Sequence, residues 1–491
     1  MPAMQHLSYR RGGLPAWSAA LASVLGCSAV SSVDYTPCSS SADCRNAFGL
    51  GYVCGGEELC EKSEAFERCD DVFPVDLLEA PDKYPDVIVF GSLFDHTDKT
   101  GDTILVNSAT LAVMEANASG LADRNFAIVH CDYQENAKID DLTAEEAAIA
   151  GAKYLVDQLG TPAIIGPGTS GLAEAVYKEL AKPEHAERPL IVSPSATSPS
   201  LSDIDPDKPG LFWRTAPPDS VLGAKLAKYM EDEVITDAVV VYEGNTYGKG
   251  LAIELQKNFE DQIELDEFQD PNEIPAKVVE IANSHPTPAN FAIVFIASDV
   301  VQVTSFLNAA GANDFYADPE VKIFFGDAAF NGDVITQTQN KAASIYGNVR
   351  GVFPGEPTER EVYKFFNTTY DATFPEKASD ASYASHTYDA TWLALYGAAW
   401  SYFQNDGEIQ GRTMAEGLTK ISAGESYDIV STTWNGIKTA FKAKRSINVS
   451  GASGELDYDP ATEETTAPVI RWTIVSDGAG GWEFETVQEE M

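Results

Sequence analysis

From Asp86 onward, short runs rich in β-formers alternate with helical stretches, and this alternation restricts the fold more than any other feature. The first runs cover 86–93, 103–117 and 126–131. A helix then starts at the capping box Thr143-x-x-Glu146, runs with Ala148, Ala152, Leu155 and Leu159 on one face, and stops at Gly160 in a left-handed cap. Strands at 163–166 and 190–193 complete four strand–helix steps before Pro217. A second series follows Pro217-Pro218, with a helix over 219–230 and strands at 238–242, 263–268, 291–296, 322–326 and 345–353. A helix over 300–310, with Ser298 as N-cap and Gly311 ending it, lies among them. A later long helix places Tyr388, Trp392, Leu395, Ala399 and Tyr402 on one stripe, which needs a partner, most economically the first lobe. The pattern predicts an α/β protein of two lobes, each a parallel sheet with helices on both faces.

The N-terminus bears on the compartment. Arg10 and Arg11 precede a short apolar run over 14–25, the layout of a secretory signal and too short to span a bilayer permanently. The run ends Val24-Leu25-Gly26-Cys27-Ser28, which resembles the bacterial lipobox and implies cleavage before a lipid-modified Cys27. Ser28 after that cysteine differs from the Asp that marks inner-membrane retention in some bacteria, which favours the outer membrane. Cys38, Cys44, Cys54 and Cys60 crowd a Ser- and Gly-rich segment with almost no hydrophobic periodicity. Such a segment cannot build a core, so two disulfides are expected to hold it; zinc is the rival reading, but no Cys-x-x-Cys pair and no histidine is present. Cys69 precedes the first predicted strand and Cys131 ends the second, so parallel neighbours bring these two within bridging reach as a third bond.

Charge and motifs narrow the function. With 75 acidic and 33 basic residues the net charge is −42, dispersed along the 491-residue chain, which argues against nucleic acid and anionic lipid surfaces as partners and suits solubility in a salty exterior. Gly166-Pro167-Gly168-Thr169-Ser170-Gly171 has the form G-x-G-x-x-G, but it follows the third strand, holds Pro at its second position, and lacks an acid ending the next strand, so no dinucleotide or other cofactor is expected. What it offers is free backbone N–H groups and the hydroxyls of Thr169 and Ser170 at a helix start, suited to an anion such as a carboxylate. A second hydroxyl-rich loop, 193–199, lies at the same strand-end edge, where ligands of such folds bind. The chain has no G-x-S-x-G elbow, no His-Glu-x-x-His and no Walker loop, so no enzyme is expected. His130-Cys131-Asp132 offers at most two ligands on one face of a strand, and Asp203, Asp205 and Asp207 lack the twelfth-position Glu of a calcium loop, Arg214 standing there; no metal is expected.

The loops IIGPGTSG and PLIVSPSATSPSLSD resemble those of the type I periplasmic binding proteins of the branched-chain amino acid class, also called the receptor family ligand-binding region. LFWRTAPPDSVLGAKLAKYM, VVVYEGNTYGKGLA, NFAIVFIASDVVQVTSFLNAAG, IFFGDAAF, YDATWLALYGAA and SGELDYDP follow in the family's order, so the likeness spans about 86–484. The resemblance implies two doubly wound lobes joined by three crossovers, closing on a solute. With the N-terminal reading this divides the chain into a signal peptide (1–26), a lipid-anchored tether (27–37), a cysteine-rich module (38–69), lobe 1 (84–214 with 355–466) and lobe 2 (215–354 with 467–491). It further implies that Thr169 and Ser170 meet the ligand carboxylate and that Ser195, Ala196 and Thr197 complete its polar end. Tyr247 closes from the second lobe, Asp327 pairs with an ammonium, and Ser298 or Asp299 adds a contact. The loop 91–98 departs from the family's Pro- and Gly-rich pattern, leaving the side-chain pocket undefined. The implied function is capture of an amino acid-like solute for an ABC permease by an exported lipoprotein. The alternative is a surface receptor or scaffold on the same fold, a reading favoured by the cysteine-rich module.

Overall fold

The computed structural model describes residues 36–96, 101–136, 138–183, 185, 188–286, 288–465 and 468–488. The signal segment and Cys27 lie outside them. Pro37 onward forms one unit built on two sheets.

The first sheet has six strands, in spatial order Asp71–Phe73, Phe126–Asp132, Ile88–Phe94, Ala163–Ile165, Leu190–Ser193 and Phe212–Arg214. All neighbours are parallel except the first pair. Both faces are covered by helices, so strands Ile88–Phe94 and Phe126–Asp132 are buried at every position, which explains their near-continuous apolar sequence. Two of these strands escaped the sequence reading. Asp71–Phe73 lies upstream of the residues assigned to either lobe and pairs antiparallel with Phe126–Asp132, and Phe212–Arg214 is only three residues long.

The second sheet runs Gln262–Phe268, Asp237–Glu243, Phe291–Ile296, Val321–Phe325, Val349–Pro354, Val469–Ser476 and Trp482–Gln488, the last two joining antiparallel. The strand expected over 345–353 is shorter. Tyr346–Asn348 forms a 3-10 turn instead, because the buried Tyr346 hydroxyl bonds Thr338 Oγ1 at 2.6 Å and holds the chain off the sheet. The N-cap of helix Val300–Ala310 is Asp299, whose Oδ1 accepts from Val301 N at 2.7 Å, and not Ser298, whose hydroxyl turns to Glu243. Gly311 ends that helix at φ −63°, an ordinary value for any residue; glycine is needed there because a Cβ would overlap the Lys341 carbonyl.

The chain passes between the lobes three times: after Arg214, after Pro354, and between Thr465 and Val469. Helix Ala384–Gln404 packs on Gly101–Ala116, Gly411–Leu418 and Trp434–Lys442 and on strands Ala163–Ile165 and Leu190–Ser193, as expected of a partner for the first lobe. It is buried on all sides from Ala384 to Ser401, more than the single stripe predicted. Helix Ala144–Lys153 carries the Thr143–Glu146 capping box and continues as a π-helical turn, Tyr154–Gln158, before Gly160 at φ +68°.

The disulfides are Cys38–Cys54, Cys44–Cys60 and Cys69–Cys131. The last staples the turn before the antiparallel edge strand to its neighbour, where parallel neighbours had been expected. The small module touches the lobe through Arg45, whose Nη1 donates to the carbonyls of Asp157 and Gln158 at 3.4 Å, a cation at the C-terminal end of a helix. No helix among the described residues is long and apolar enough to cross a membrane.

His130 and Asp132 form no common ligand set. The His130 ring is buried between Ser92 Oγ (2.6 Å) and Thr110 Oγ1 (2.9 Å), while Asp132 accepts from His96 N and Gln134 N. Burial pushes the pKa of His130 down to about 3, and that of His386 likewise. Both are therefore neutral in the folded chain at pH 6.5, and acid favours the unfolded chain, whose rings take up protons that the buried ones cannot. Their contribution is present above pH 6.5 and is lost as the pH falls towards 3, by up to about 1.4 kcal/mol per pH unit for each ring. Urea unfolding at a series of pH values should show the stability of wild type falling more steeply between pH 6 and 4 than that of His130→Gln; parallel curves would contradict this.

Candidate ligand-binding cleft

At the carboxyl edge of the first sheet the two hydroxyl-rich loops are stitched together. Ser193 Oγ donates to Pro167 O at 2.6 Å, Ser195 Oγ donates to Gly168 O at 2.9 Å, and Ser170 Oγ accepts from Ser198 N at 3.1 Å. Gly166, at φ +92° and with its Cβ position against the Leu93 carbonyl, lets the turn fold back over the sheet. Thr169 is the N-cap of helix Ser170–Leu180 and accepts from Leu172 N, so its hydroxyl serves the helix.

Arg214 fixes the second loop. Its guanidinium is buried, and Nη1 donates to Ala196 O (3.1 Å) and Ser198 O (2.9 Å), Nη2 to Ser202 Oγ (2.9 Å), and Nε and Nη2 in fork geometry to Glu464 at 2.7 and 2.6 Å. Inside this frame Thr197 is fully buried and its hydroxyl completes no hydrogen bond. Beside it lies Asp219, at the start of helix Asp219–Asp232, whose backbone N–H donates to Thr197 O at 2.8 Å. Asp219 is 0% exposed and neither carboxylate oxygen completes a hydrogen bond; the Thr197 hydroxyl is close enough to lower its pKa without the geometry of a bond.

The second lobe supplies Asn245, Tyr247, Ser298, Asp299 and Asp327. Asn245 caps helix Thr246–Asn258 through Gly248 N (2.8 Å) and donates to Ser298 Oγ (3.1 Å), while Ser298 Oγ donates to Glu243 Oε2 at 2.7 Å. Asp327 is buried, and both its oxygens are taken: Oδ1 accepts from the Tyr247 hydroxyl at 2.5 Å and Oδ2 from the Tyr383 hydroxyl. Tyr383 belongs to the segment after the second crossover and holds a left-handed φ of +67° at the start of the long helix. Burial pushes the Asp327 carboxyl up, against the pull of the two tyrosines. Burial and the charge of Asp327 push Asp219 well above the ordinary carboxylate range.

The lobes meet directly at the cleft edge, where Thr246 Oγ1 donates to Glu174 Oε2 at 2.8 Å and Asp299 acts electrostatically on the buried Tyr133 hydroxyl. The structure thus brings Ser170, Ser195, Ala196 and Thr197 to one loop cluster and Tyr247 to Asp327, and engages Ser298 and Asp299 in local bonds of the second lobe. Sequence reasoning missed Asp219 and Tyr383 and considered Arg214 only as a failed calcium ligand. Asp219 stood within the matched segment at the lobe crossing, and Tyr383 gave no local signal.

Two α/β lobes, three crossovers and a polar seam at the strand ends define a two-lobed binding protein. Residues 106–467 match the family model described as the receptor family ligand binding region, and the chain belongs to this family of binding proteins and receptors, which are not enzymes. It is 25% identical over 340 residues, 67% of this chain and 74% of the other, to the chemotactic signal transduction system substrate-binding protein BasB of Halobacterium salinarum. Among solved structures it resembles the branched-chain amino acid transporter substrate-binding protein LivJ of Streptococcus pneumoniae in complex with isoleucine. That likeness has a TM-score of 0.59 and 21% identity, covering 82% of this chain and all of the other. A solute-binding protein of an ABC transporter from R. palustris in complex with 4-hydroxybenzoate gives a TM-score of 0.60 at 14% identity, covering 82% and 96%. At these identities the structural likeness is one of fold.

Proposed function

We propose that this chain is an extracytoplasmic solute-binding protein that captures an amino acid-like ligand between its lobes and delivers it to an ABC-type permease. In this reading it is held to the envelope, by preference the outer membrane, through a lipid on Cys27. The observation that carries the reading is the fully buried Thr197 hydroxyl with no hydrogen-bond partner, at the strand-end edge beside the equally unpartnered Asp219. An unmet buried polar group costs about 1–3 kcal/mol, and a ligand that pairs with it recovers that cost. Ser170, Ser195 and Ala196 frame the carboxylate end, with Thr169 holding the helix start behind them. Tyr247 and Asp327 close from the second lobe, and Ser298 and Asp299 line its rim.

A thermal-shift screen of the mature protein against amino acids, small carboxylates, amides and short peptides tests this. A ligand at a hundredfold excess over Kd stabilises by about 2.7 kcal/mol. The expected result is a raised midpoint with one chemical class, lost in Thr197→Ala and Asp327→Ala; no shift with any compound, the protein being folded, contradicts it. A second reading, a sensory receptor in place of a transport shuttle, is favoured by the chemotactic role named for the Halobacterium relative. Loss of solute uptake on deletion supports transport, and loss of directed movement with uptake intact supports sensing.

A further inference from the structure

We infer that the cysteine-rich module is a rigid pedestal, seated on lobe 1 through Arg45 and Gly160, that holds the cleft at a fixed orientation to the N-terminal segment instead of letting the lobes swing on a flexible spacer. No residue of the solute site lies in the module. Its two disulfides, Cys38–Cys54 and Cys44–Cys60, are wholly internal and staple helix Ser41–Phe48 to the hairpin of Tyr52–Cys54 and Cys60–Lys62. They fix its shape, which a segment this small has no core of its own to do. Its position is fixed by contacts with lobe 1. Arg45, in the last turn of its helix, directs Nη1 to the carbonyls of Asp157 and Gln158 at 3.4 Å, and a cation is favoured at such a helix end. Strand Tyr52–Cys54 touches the same turn, Tyr154–Gln158, and Leu50 packs against the main hydrophobic core.

Gly160 is the other half of the seat. It stands at φ +68°, past a helix end, where glycine or asparagine is usual. A Cβ there would also overlap the Arg45 guanidinium, so the absent side chain makes the socket. The connector to lobe 1 is short and held. The Phe66 ring lies 5.5 Å from that of Tyr154, and Arg68 is buried, with Nη1 on the carbonyls of Asp132 (3.3 Å) and Gln134 (2.7 Å) and its fork on Asp140. Only Ser63, Glu64 and Ala65 separate the hairpin from Phe66, a leash of about 10 Å at full extension. Seated at Arg45 on one side and leashed so closely on the other, the module has no room to turn. The helix that ends in this seat leads into strand Ala163–Ile165, so the seat is at the amino edge of the first sheet, whereas the loops 166–171 and 193–199 lie at the carboxyl edge. The rise of that helix from Ala144 to Gln158, about 22 Å, separates the two. With a lipid on Cys27, a step that rests on the function proposed above, the pedestal turns the cleft away from the envelope surface.

Double electron–electron resonance on the full mature chain tests this, with nitroxide side chains placed at the exposed Glu57 of the module and the exposed Glu145 of the socket helix by a chemistry that spares the cysteines. One narrow distance distribution is expected for the otherwise unaltered chain. Arg45→Ala should broaden it at least twofold, and so should Gly160→Asn, since asparagine tolerates the left-handed φ but fills the socket. The unaltered chain carries the test even where a variant fails to fold. A broad distribution in the unaltered chain marks a flexible spacer and overturns the inference, as does a distribution that stays equally narrow in either folded variant. The measurement needs no bound solute, so solute capture stands or falls separately.

Discussion

Arg214→Met is expected to destabilise the folded chain by about 3–5 kcal/mol, the cost of removing one partner from a buried ion pair. The guanidinium is 1% exposed, and Glu464, its fork partner, retains only 13% side-chain exposure, so the variant leaves a carboxylate in a poorly hydrated site with nothing to neutralise it. It also leaves the carbonyls of Ala196 and Ser198 without their donor, and these carbonyls set the loop that carries Thr197. Stability and ligand affinity should therefore fall together. In the double variant Arg214→Met with Glu464→Gln part of the stability should return, because the uncompensated charge is gone, while affinity should not. Urea denaturation and a binding isotherm on the same preparations check this; a loss below about 1 kcal/mol would show that the pair is not the frame of the loop.

Breaking Cys69–Cys131 is the second large effect. The bond closes a loop across 62 positions, for which loop-closure entropy gives about 4 kcal/mol, against about 3 kcal/mol for each 16-residue separation in the cysteine-rich module. The module bonds are local, so their loss loosens the module, whereas Cys69–Cys131 ties the edge strand Asp71–Phe73 to the first lobe's sheet. The expected result is a clear fall in the main unfolding midpoint for Cys69→Ala with Cys131→Ala, and a smaller change in that transition when Cys38 and Cys54 are replaced. Equal midpoints for the two double variants would contradict the assignment.

The alternation of apolar runs and helical stretches made the two lobes legible because parallel strands buried on both faces write continuous Val, Ile and Phe segments, as in Phe291–Ile296. Ala163–Ile165 was still read, as 163–166, from its place in the alternation, whereas Phe212–Arg214, equally short, passed unnoticed between turns. The long helix showed a stripe, but a helix buried all round has no polar face to mark its limits, and its partners include three other helices and two strands. The hydroxyl loops were readable from local chemistry. The pairing of Tyr247 and Tyr383 with Asp327 was not, since it joins residues 80 and 56 positions from the acid and depends on how the lobes meet. Asp219 looked like an ordinary first-turn acid, and only burial set it apart. Cysteine spacing gave the existence of the module bonds but not their connectivity, which rests on the hairpin Tyr52–Cys54 and Cys60–Lys62 facing helix Ser41–Phe48.

In the proposed function one small solute sits between the lobes against Thr197. Native mass spectrometry of the mature chain in an equimolar mixture of amino acids tests it most directly. A single adduct of one amino acid per chain is expected, absent from Thr197→Ala at the same concentrations. A bare protein mass at saturating ligand, or an adduct that Thr197→Ala retains in full, would contradict it.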